Sequence, residues 1–219
     1  MNSRRFFLSA ALGLCTLAVS ASTSRAADKG FTPLFDGKSF AGWKADTTKG
    51  YEVKDGLLIC TPEGKHLISE KTYGDFHLKF DFKLSQGANN GMGIRCDLPK
   101  DGKAPSPHLN GMEIQLIDAN VPKHEKIKDW QHHGSIYGLV PAKHEGMKPI
   151  GEWNTQEIIA KGTKVTVILN GVTIVDADLS KVKPIDGHEH PGQLNASGHF
   201  IICGHNDHVE FRNLAIKTL

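Results

Sequence analysis

The stretch Phe76-His77-Leu78-Lys79-Phe80-Asp81-Phe82-Lys83-Leu84 decides the fold class, because apolar and polar residues alternate along it without a break. Successive side chains of a β-strand point to opposite faces, so five large apolar side chains would share one face and four polar side chains the other. An apolar sheet face has to pack against another layer. The stretch therefore predicts a strand whose one face lines a core.

The rest of the chain repeats this period of two in shorter segments. The alternating run Val165–Leu169 leads into Asn170-Gly171, a strong hairpin signal, and then into Val172–Val175. Further strand candidates are Gly56–Thr61, His66–Ser69, Gly91–Asp97, Met112–Ile117, Ser135–Val140, Trp153–Ala160, Phe200–Cys203 and Val209–Lys217. No segment keeps a helical period beyond two turns. About a dozen short strands predict an all-β protein, a sandwich or jelly roll.

Composition limits the class of protein. The chain has 219 residues, of which 39% are hydrophobic and 23% charged, which suits one well-packed domain and argues against disordered, collagenous or coiled-coil chains. Its net charge is +2, but Arg4, Arg5 and Arg25 lie in a leader without acidic residues. Without the leader 23 basic residues face 24 acidic ones, so we expect no nucleic-acid partner.

The first residues have the pattern of an export signal. Paired arginines precede Phe6-Phe7-Leu8, the mostly apolar run Ala10–Ala21 follows, and Ser24-Arg25-Ala26 offers small residues at both peptidase positions. The pattern resembles the twin-arginine type. The apolar run is well short of the roughly 20 residues that span a bilayer, so we expect no membrane association after processing. The prediction is a signal peptide at residues 1–26, a single domain at residues 27–219, and a periplasmic or secreted location.

The cysteines leave the redox state open. Cys15 leaves with the leader, and the bulky Leu14 before it argues against a lipoprotein. Cys60, Cys96 and Cys203 remain, without C-x-x-C spacing. Either one disulfide or three buried thiols fits this pattern.

Two predicted strands carry a candidate site. In Gly111–Asp118 alternation puts Glu113 and Gln115 opposite the apolar residues Met112, Ile114 and Leu116. In Gly91–Cys96 it puts Arg95 opposite Met92, Ile94 and Cys96. A guanidinium, an amide and a carboxylate together can hold a polyhydroxylated ligand. An ordinary solvent-facing sheet is the alternative.

Twelve histidines raise the question of a metal site. His132-His133, His188-x-His190 and His205-x-x-His208 are close pairs, and none has an H-E-x-x-H or zinc-finger frame. Residues i and i+2 of a strand share a face, so His188 and His190 could meet at one ion, but the loop around them favours solvated histidines. Spacing alone indicates a metal site only weakly.

A series of motifs resembles one family. They occur in the family's order and cover Phe31 to Leu219: Phe35–Trp43, Tyr73–Phe76, Asn90–Arg95, Gly111–Asp118, Gly134–Tyr137, Gly151–Asn154, Leu169–Gly171 and Val209–Leu214. The chain is similar to the DUF1080 family, the 3-keto-disaccharide hydrolase or 3-keto-α-glucoside 1,2-lyase/hydratase domain. It departs from the family at Asn89-Asn90-Gly91, where Asn-Ser-Gly is usual. It departs again at Ile202-Cys203-Gly204-His205, where a thiol replaces a glutamine.

The resemblance implies a concanavalin-like jelly roll that cleaves 3-keto-glycosides, with net hydrolysis by elimination and hydration at C1 and C2. It makes Glu113 the candidate base or metal ligand, His205 a second acid–base or ligand candidate, and Tyr137 a candidate proton donor. Arg95 and Gln115 would position the substrate, and a divalent ion would stabilise an enolate without its ligands being fixed. Further substrate-binding candidates in the motifs are Asp118, Trp153 and Asn154.

Two other classes of function remain open at this point. A non-catalytic carbohydrate-binding module can use the same sandwich, and Trp43, Trp130 and Trp153 could stack on sugars or belong to the core. A purely structural adhesion domain is a third hypothesis. The polar set of Arg95, Glu113 and Gln115 argues against it.

The leader makes a direct prediction. Export should remove residues 1–26, so mass spectrometry of the periplasmic protein should find an N-terminus at Ala27 or within a few residues of it. Total-cell protein from an export-blocked strain is the control and should retain the leader. An intact Met1 in the periplasmic fraction would contradict the prediction.

Overall fold

The computed structural model describes residues 29–219, so the predicted signal peptide and its cleavage site lie outside the described residues. Within that range the strands are β1 (Thr32–Pro33), β2 (Tyr51–Lys54), β3 (Leu57–Cys60), β4 (His66–Tyr73), β5 (Phe76–Leu84), β6 (Asn89–Cys96), β7 (Met112–Ile117), β8 (Asn154–Lys161), β9 (Lys164–Leu169), β10 (Val172–Asp178), β11 (Gly198–Cys203) and β12 (Val209–Thr218). The helical elements of the described residues are short: α1 (Pro107–Asn110) and 3-10 turns at Ala45–Thr47, Pro122–His124, Asp129–Gln131 and Leu179–Lys181.

The strands form two antiparallel sheets. The large sheet has the order β10-β9-β8-β5-β12-β3-β2, with β1 also paired to β12, and the small sheet has the order β4-β11-β6-β7. Six of the ten pairings among these described strands join strands that are not consecutive in the chain, which is the crossing connectivity of a jelly roll. The predicted all-β, lectin-like sandwich is confirmed.

The core lies between the two sheets and follows the alternation of β5. Phe76, Leu78, Phe80 and Phe82 are fully buried and Leu84 is 2% exposed. The polar residues of the same strand lie on the outer face of the large sheet, where His77 contacts Glu157 at 2.7 Å and Lys83 contacts Glu210 at 2.6 Å. The faces are therefore assigned as the sequence predicts.

The small sheet contributes the other half of this core. The inward-facing side chains of its strands are Met92, Ile94, Met112, Ile114, Leu116, Phe200 and Ile202, each at most 1% exposed. Phe76 of the large sheet meets Phe200 of the small sheet edge to face, with ring centroids 4.8 Å apart. This geometry is favourable for aromatic pairs and ties the two layers together. Every side chain on the opposite face of the small sheet is thereby turned away from the core.

One predicted strand is wrong. Residues 135–140 form only isolated bridges, of Ile136 with Ile114 and with Val140, and no strand. Gly134 and Gly138 have φ angles of +80° and +73°, so the backbone turns twice within five residues. The segment still lines the free edge of β7, where the backbone N–H of Tyr137 donates to the carbonyl of Glu113 at 2.9 Å.

The sequence also misses two short elements. β1 and β2 were not among the predicted strands: β1 has two residues and the alternation in β2 extends over only four, whereas the equally short β3 is marked by a continuous apolar run. The three cysteines within the described residues are buried free thiols. None of the helices in residues 29–219 has both the length and the apolar character that crossing a bilayer requires.

The core assignment predicts the cost of truncating Phe80. Phe80→Ala should lower the free energy of unfolding by about 3–5 kcal/mol, because it removes a fully buried ring from between the sheets. Val172→Ala, at a 37% exposed strand position, is the control and should cost less than about 1 kcal/mol. Urea denaturation measures both variants, and equal small losses would contradict this assignment of the faces.

Candidate active site

The candidate site lies on the outer face of the small sheet, with Glu113 at its floor. β7 turns Met112 and Ile114 into the core and therefore turns Glu113 outward, yet Glu113 is only 5% exposed. Loops that fold over the sheet account for this burial. A carboxylate held in a nearly dry position is unusual unless charged or polar groups surround it.

Glycine makes room for this carboxylate on the neighbouring strand. In β6 the outward positions are Gly91 and Gly93, and Gly93 pairs with Glu113 in register. A Cβ atom at Gly91 would overlap Oε1 of Glu113. A side chain at this position would thus displace the carboxylate, and the family motif Asn90–Arg95 supplies glycine there.

Three histidines surround Glu113. His205 Nε2 lies 3.6 Å from Oε1, and His108 Nδ1 lies 3.8 Å from Oε2. His66 comes from β4, where it pairs with Cys203, and its Nδ1 atom is buried without a hydrogen-bond partner. The side chain of His205 is 41% exposed and that of His108 is 28% exposed, so the cluster runs from a buried carboxylate to an open rim.

The cluster affects the protonation of its members. Burial lowers the pKa of His66 and of His108 below the ordinary histidine value, and the nearby Glu113 carboxylate partly offsets this shift. Both imidazoles are therefore mainly neutral at pH 7, with one nitrogen that can accept a proton. Neutral imidazoles beside a carboxylate can act in acid–base chemistry.

Two thiols also border the carboxylate. Burial raises the pKa of Cys203 and of Cys96, and the charge of Glu113 raises both further. Each thiol therefore stays protonated. The Cys203 S–H donates to the carbonyl of Ile201 at 3.5 Å. Cys203 stands where the family usually has glutamine, so here a small, neutral group replaces an amide next to Glu113.

A buried histidine–carboxylate pair supports the loop that carries His108. His190 donates its Nδ1–H to the carbonyl of His108 at 2.9 Å, because a carbonyl oxygen can only accept, and its Nε2 lies 3.0 Å from Asp186. The side chains of His190 and Asp186 are 0% and 3% exposed. The His108 and His190 rings also meet at 5.9 Å. The pair fixes α1, and with it the position of His108.

Tyr137 forms one side of the site. Its ring lies 5.3 Å from that of His108 and 4.8 Å from that of Trp130, edge to face. Its hydroxyl accepts a hydrogen bond from Gln131 Nε2 at 3.0 Å, which leaves the phenolic O–H free to donate. Of the residues predicted from the sequence, the structure thus brings Glu113, His205 and Tyr137 together, alongside two further histidines.

Gln115 shares the face of Glu113 but is already engaged. It is 3% exposed, and its Nε2 donates to Asn89 Oδ1 at 3.1 Å. Asn89 is the first residue of Asn89-Asn90-Gly91, where the chain departs from the family motif, so this hydrogen bond joins that segment to β7.

Arg95 does not join Glu113. Its φ of +49° lies in the left-handed region, and the pairing of β6 with β11 shifts register beside it. The guanidinium donates to the carbonyls of Gly74 at 3.0 Å, Gly162 at 2.6 Å and Asn195 at 3.3 Å, and to Asp75 Oδ1 at 2.8 Å. Arg95 is 3% exposed and joins three loops at one end of the sandwich.

The same irregularity corrects a second expectation. Strict alternation puts Cys96 on the face of Met92 and Ile94, but Cys96 packs outward with Ile68, Ile201 and Cys203. A bulge adds one residue to a strand, and every later side chain changes face.

The remaining predicted substrate contacts lie elsewhere. Asp118 accepts backbone N–H bonds from Gly87 and Asn120, at 2.8 and 3.0 Å. Asn154 Oδ1 accepts from Asn170 Nδ2 at 2.7 Å, beside the β9–β10 hairpin. Trp153 lies under Arg212, whose guanidinium carbon is 4.0 Å from the ring centroid.

The donors near Glu113 do not make a clear metal site. His205 and His108 lie 3.6 and 3.8 Å from different oxygens of Glu113, but the three residues do not place one ligand atom each within 4.8 Å of the other two, as three protein ligands of a catalytic zinc would require. Among residues 29–219, three donor atoms within 4.8 Å of one another occur only at Asp129, His132 and His144, away from Glu113. Within the same residues His188 and His190 belong to no such group of three donors, and His190 Nε2 is engaged by Asp186 at 3.0 Å.

Sequence reasoning missed His66, His108 and the His190–Asp186 pair. His66 begins a predicted strand, and its outward direction could have been read from the alternation with Leu67. His108 and Asp186 lie in irregular polar loops, whose path over the sheet has no local signature. Long loops in a compact sandwich are the only signal that pointed there.

Comparisons with known proteins agree with the motifs. A family profile described as a 3-keto-alpha-glucoside-1,2-lyase-like domain matches residues 30–217. A protein from Bacteroides thetaiotaomicron is named 3-keto-disaccharide hydrolase and is 26% identical in an alignment of 228 positions. The alignment covers 87% of this chain and 79% of that protein.

Solved structures give the same relationship. A Parabacteroides distasonis protein, proposed there to be a glycosyl hydrolase, has a TM-score of 0.75 and 28% identity over 86% of this chain and 99% of its own. A Bacillus subtilis protein of galectin-like fold has a TM-score of 0.53 at 11% identity, over 80% of this chain and 91% of its own. The second likeness concerns the fold alone.

The contacts of Arg95 predict a structural role. Arg95→Lys should lower the free energy of unfolding by on the order of 3 kcal/mol, because one ammonium cannot replace the forked donors that reach three carbonyls and a carboxylate. Arg212→Lys, at a 38% exposed arginine, is the matched control and should change stability little. Thermal and urea unfolding measure the difference. Unchanged stability of Arg95→Lys would refute this role.

Proposed function

The chain belongs to the family of 3-keto-alpha-glucoside-1,2-lyase-like domains, and we propose that it is a carbohydrate-active enzyme that cleaves the glycosidic bond of 3-keto-glycosides, 3-keto-disaccharides included. The named activity of the Bacteroides relative supports a hydrolase. The observation that carries the proposal is the buried Glu113 carboxylate, with imidazole nitrogens of His205 and His108 at 3.6 and 3.8 Å.

The chemistry of a 3-keto sugar explains why such a cluster is useful. A ketone at C3 acidifies the proton on the neighbouring C2 carbon. Glu113 removes that proton, and the electron pair left on C2 becomes an enolate delocalised onto the C3 oxygen. An N–H of a neighbouring imidazole, or the O–H of Tyr137, stabilises that oxygen by hydrogen bonding.

Elimination and hydration complete the reaction. The enolate re-forms the ketone, a C1–C2 double bond forms, and the C1–O bond breaks with its electron pair on the departing alkoxide. His205, at the open rim, protonates that oxygen. Water then adds to C1: its oxygen bonds to C1, one of its protons passes to His205, and Glu113 returns the first proton to C2. One water molecule is consumed, and the products are the free 3-keto sugar and the released alcohol, so the net change is hydrolysis.

No step needs a metal ion, and a divalent cofactor is not part of the proposal. The neutral state of His108 and His66 suits proton transfer near pH 7. The leader with Arg4-Arg5 supports the further proposal that the enzyme works after export, in the periplasm or outside the cell.

A sugar-binding module without catalysis is less well supported. Such modules rely on accessible aromatic rings, but Trp43 is 3% exposed and belongs to the core, and Trp153 is covered by Arg212. Trp130 alone of the three lies beside the site, packed on Tyr137. A buried carboxylate among imidazoles suits proton transfer to and from a substrate, whereas stacking on a sugar ring would need exposed aromatic side chains.

Replacement of the proposed base tests the mechanism. Glu113→Gln keeps the size and polarity of the side chain and removes the proton acceptor, so kcat on an aryl 3-keto-glucoside should fall by about 10²–10⁴-fold. Steady-state kinetics with a chromogenic aglycone measure the loss, and circular dichroism checks that the variant folds.

The matched control is Glu157→Gln, a glutamate of the large sheet's outer face that also contacts a histidine, His77 at 2.7 Å. Its kcat should match that of the unaltered enzyme. An unchanged kcat for Glu113→Gln would remove Glu113 from the mechanism. Binding of the 3-keto-glucoside without any turnover by the unaltered protein would favour the binding module instead.

A further inference from the structure

A second cluster of chemically active side chains lies outside the candidate active site. Asp129 and His132 belong to the 3-10 turn Asp129–Gln131 and its C-terminal cap, and His144 comes from the segment that leads to β8. One ligand atom of each lies within 4.8 Å of the other two. The His132 and His144 rings stack with centroids 4.0 Å apart.

The backbone presents these three side chains together. A 3-10 turn has about three residues per turn, so positions i and i+3, here Asp129 and His132, lie on the same side of it. The turn is fixed by Gln131, whose side chain accepts from the backbone N–H of Lys128 at 2.9 Å. The neighbour of His144, Lys143, donates its backbone N–H to the carbonyl of Ile174 at 3.0 Å, which anchors the second segment to the large sheet.

The donor set suits a transition-metal ion. Two imidazoles and a carboxylate are the ligands of many zinc centres that keep one position open. Bond lengths near 2.1 Å place ligand atoms about 3.4 Å apart. The ligand atoms lie at most 4.8 Å apart, so each pair has to approach by at most about 1.5 Å to bind one ion. The three side chains are exposed or half-buried and can make this approach by rotation. No backbone movement is required.

The charge state also favours a cation. An imidazole without a second proton, as His132 and His144 can supply, has a lone pair to offer on one nitrogen. Metal ions bind this deprotonated form. Asp129 adds a negative charge. Two lysines adjoin these residues in the sequence: Lys128 precedes Asp129, and Lys143, which precedes His144, has its ammonium 3.9 Å from Glu145.

A cavity of about 450 Å³ adjoins the cluster. His132 and His144 line it together with Asp118, Asn120, Lys148 and Ile150, and neither Glu113 nor any of its three histidines takes part in the lining. An ion held by the two histidines would thus lie at the edge of a space that admits water or a small oxygen ligand.

We propose that Asp129, His132 and His144 form a binding site for a divalent transition-metal ion of the zinc class, with its open coordination position toward this cavity. The ion links the turn Asp129–Gln131 to the segment that contains His144. The same turn carries Trp130, which contacts Tyr137 of the candidate active site at 4.8 Å. Metal binding therefore fixes a wall of that site without supplying a group to the reaction.

Titration with Zn²⁺ tests the site. Tag-free protein in chelator-free buffer at pH 7 should bind one Zn²⁺ ion per chain by isothermal titration calorimetry, and Zn²⁺ should raise the Tm. His144→Ala and Asp129→Asn should each weaken the affinity by about 10-fold or more and abolish the rise in Tm, because two ligands remain. Both replaced side chains are exposed, so the variants should keep the metal-free Tm of the unaltered protein.

The matched control is His208→Ala. His208 is an exposed histidine that also lies beside a carboxylate, 3.2 Å from Glu210, but it has no third donor. Its Zn²⁺ affinity should equal that of the unaltered protein. The proposal is overturned if no saturable binding occurs, if His144→Ala binds as tightly as the unaltered protein, or if Glu113→Gln loses the ion while His144→Ala keeps it. The last result would place the ion in the candidate active site.

Discussion

The packing of two apolar sheet faces against each other is the constraint on which the rest of the molecule depends. Phe76 of β5 meets Phe200 of β11, and this contact together with the alternation along each strand fixes which side chains point inward. A shift of one residue in register would exchange the two faces of a strand. Glu113 is at the floor of the candidate site because Met112 and Ile114 on either side of it are needed in the core.

Loops cover part of the outer face of the small sheet and bury the Glu113 carboxylate there. The carboxylate of Glu113 has lost nearly all contact with solvent, and its surroundings include the neutral imidazoles of His66 and His108 and two protonated thiols. In such a place electrostatic interactions are stronger than in water. The imidazoles next to the carboxylate come from separate segments, among them His108, whose backbone carbonyl accepts a hydrogen bond from His190. The site is thus assembled by tertiary structure, although its central residue is set by local alternation.

This division explains what the sequence could predict. The period of two located most strands and identified Glu113, because both follow from the local pattern of apolar residues. It failed at Arg95, where a left-handed residue and a shift in register cancel the alternation, and so it placed Cys96 on the wrong face. It failed again at Gly134 and Gly138, whose positive φ angles turn a β-like run back on itself. The positions of His108 and His190 depend on how two loops cross the sheet, and no local sequence pattern predicts the path of those loops.

The bonds of Arg95 have a consequence for how the chain folds. The guanidinium joins carbonyls that are 21, 67 and 100 positions away along the chain, so its partners are separate until most of the polypeptide has been synthesised. Closing loops of such length costs conformational entropy before the contacts repay it. We therefore expect folding on the scale of milliseconds to seconds that is usual for all-β proteins with distant pairings. During synthesis the bond to Asn195 is the last of the three that the chain can form, so Arg95 joins its third loop only once residue 195 is present.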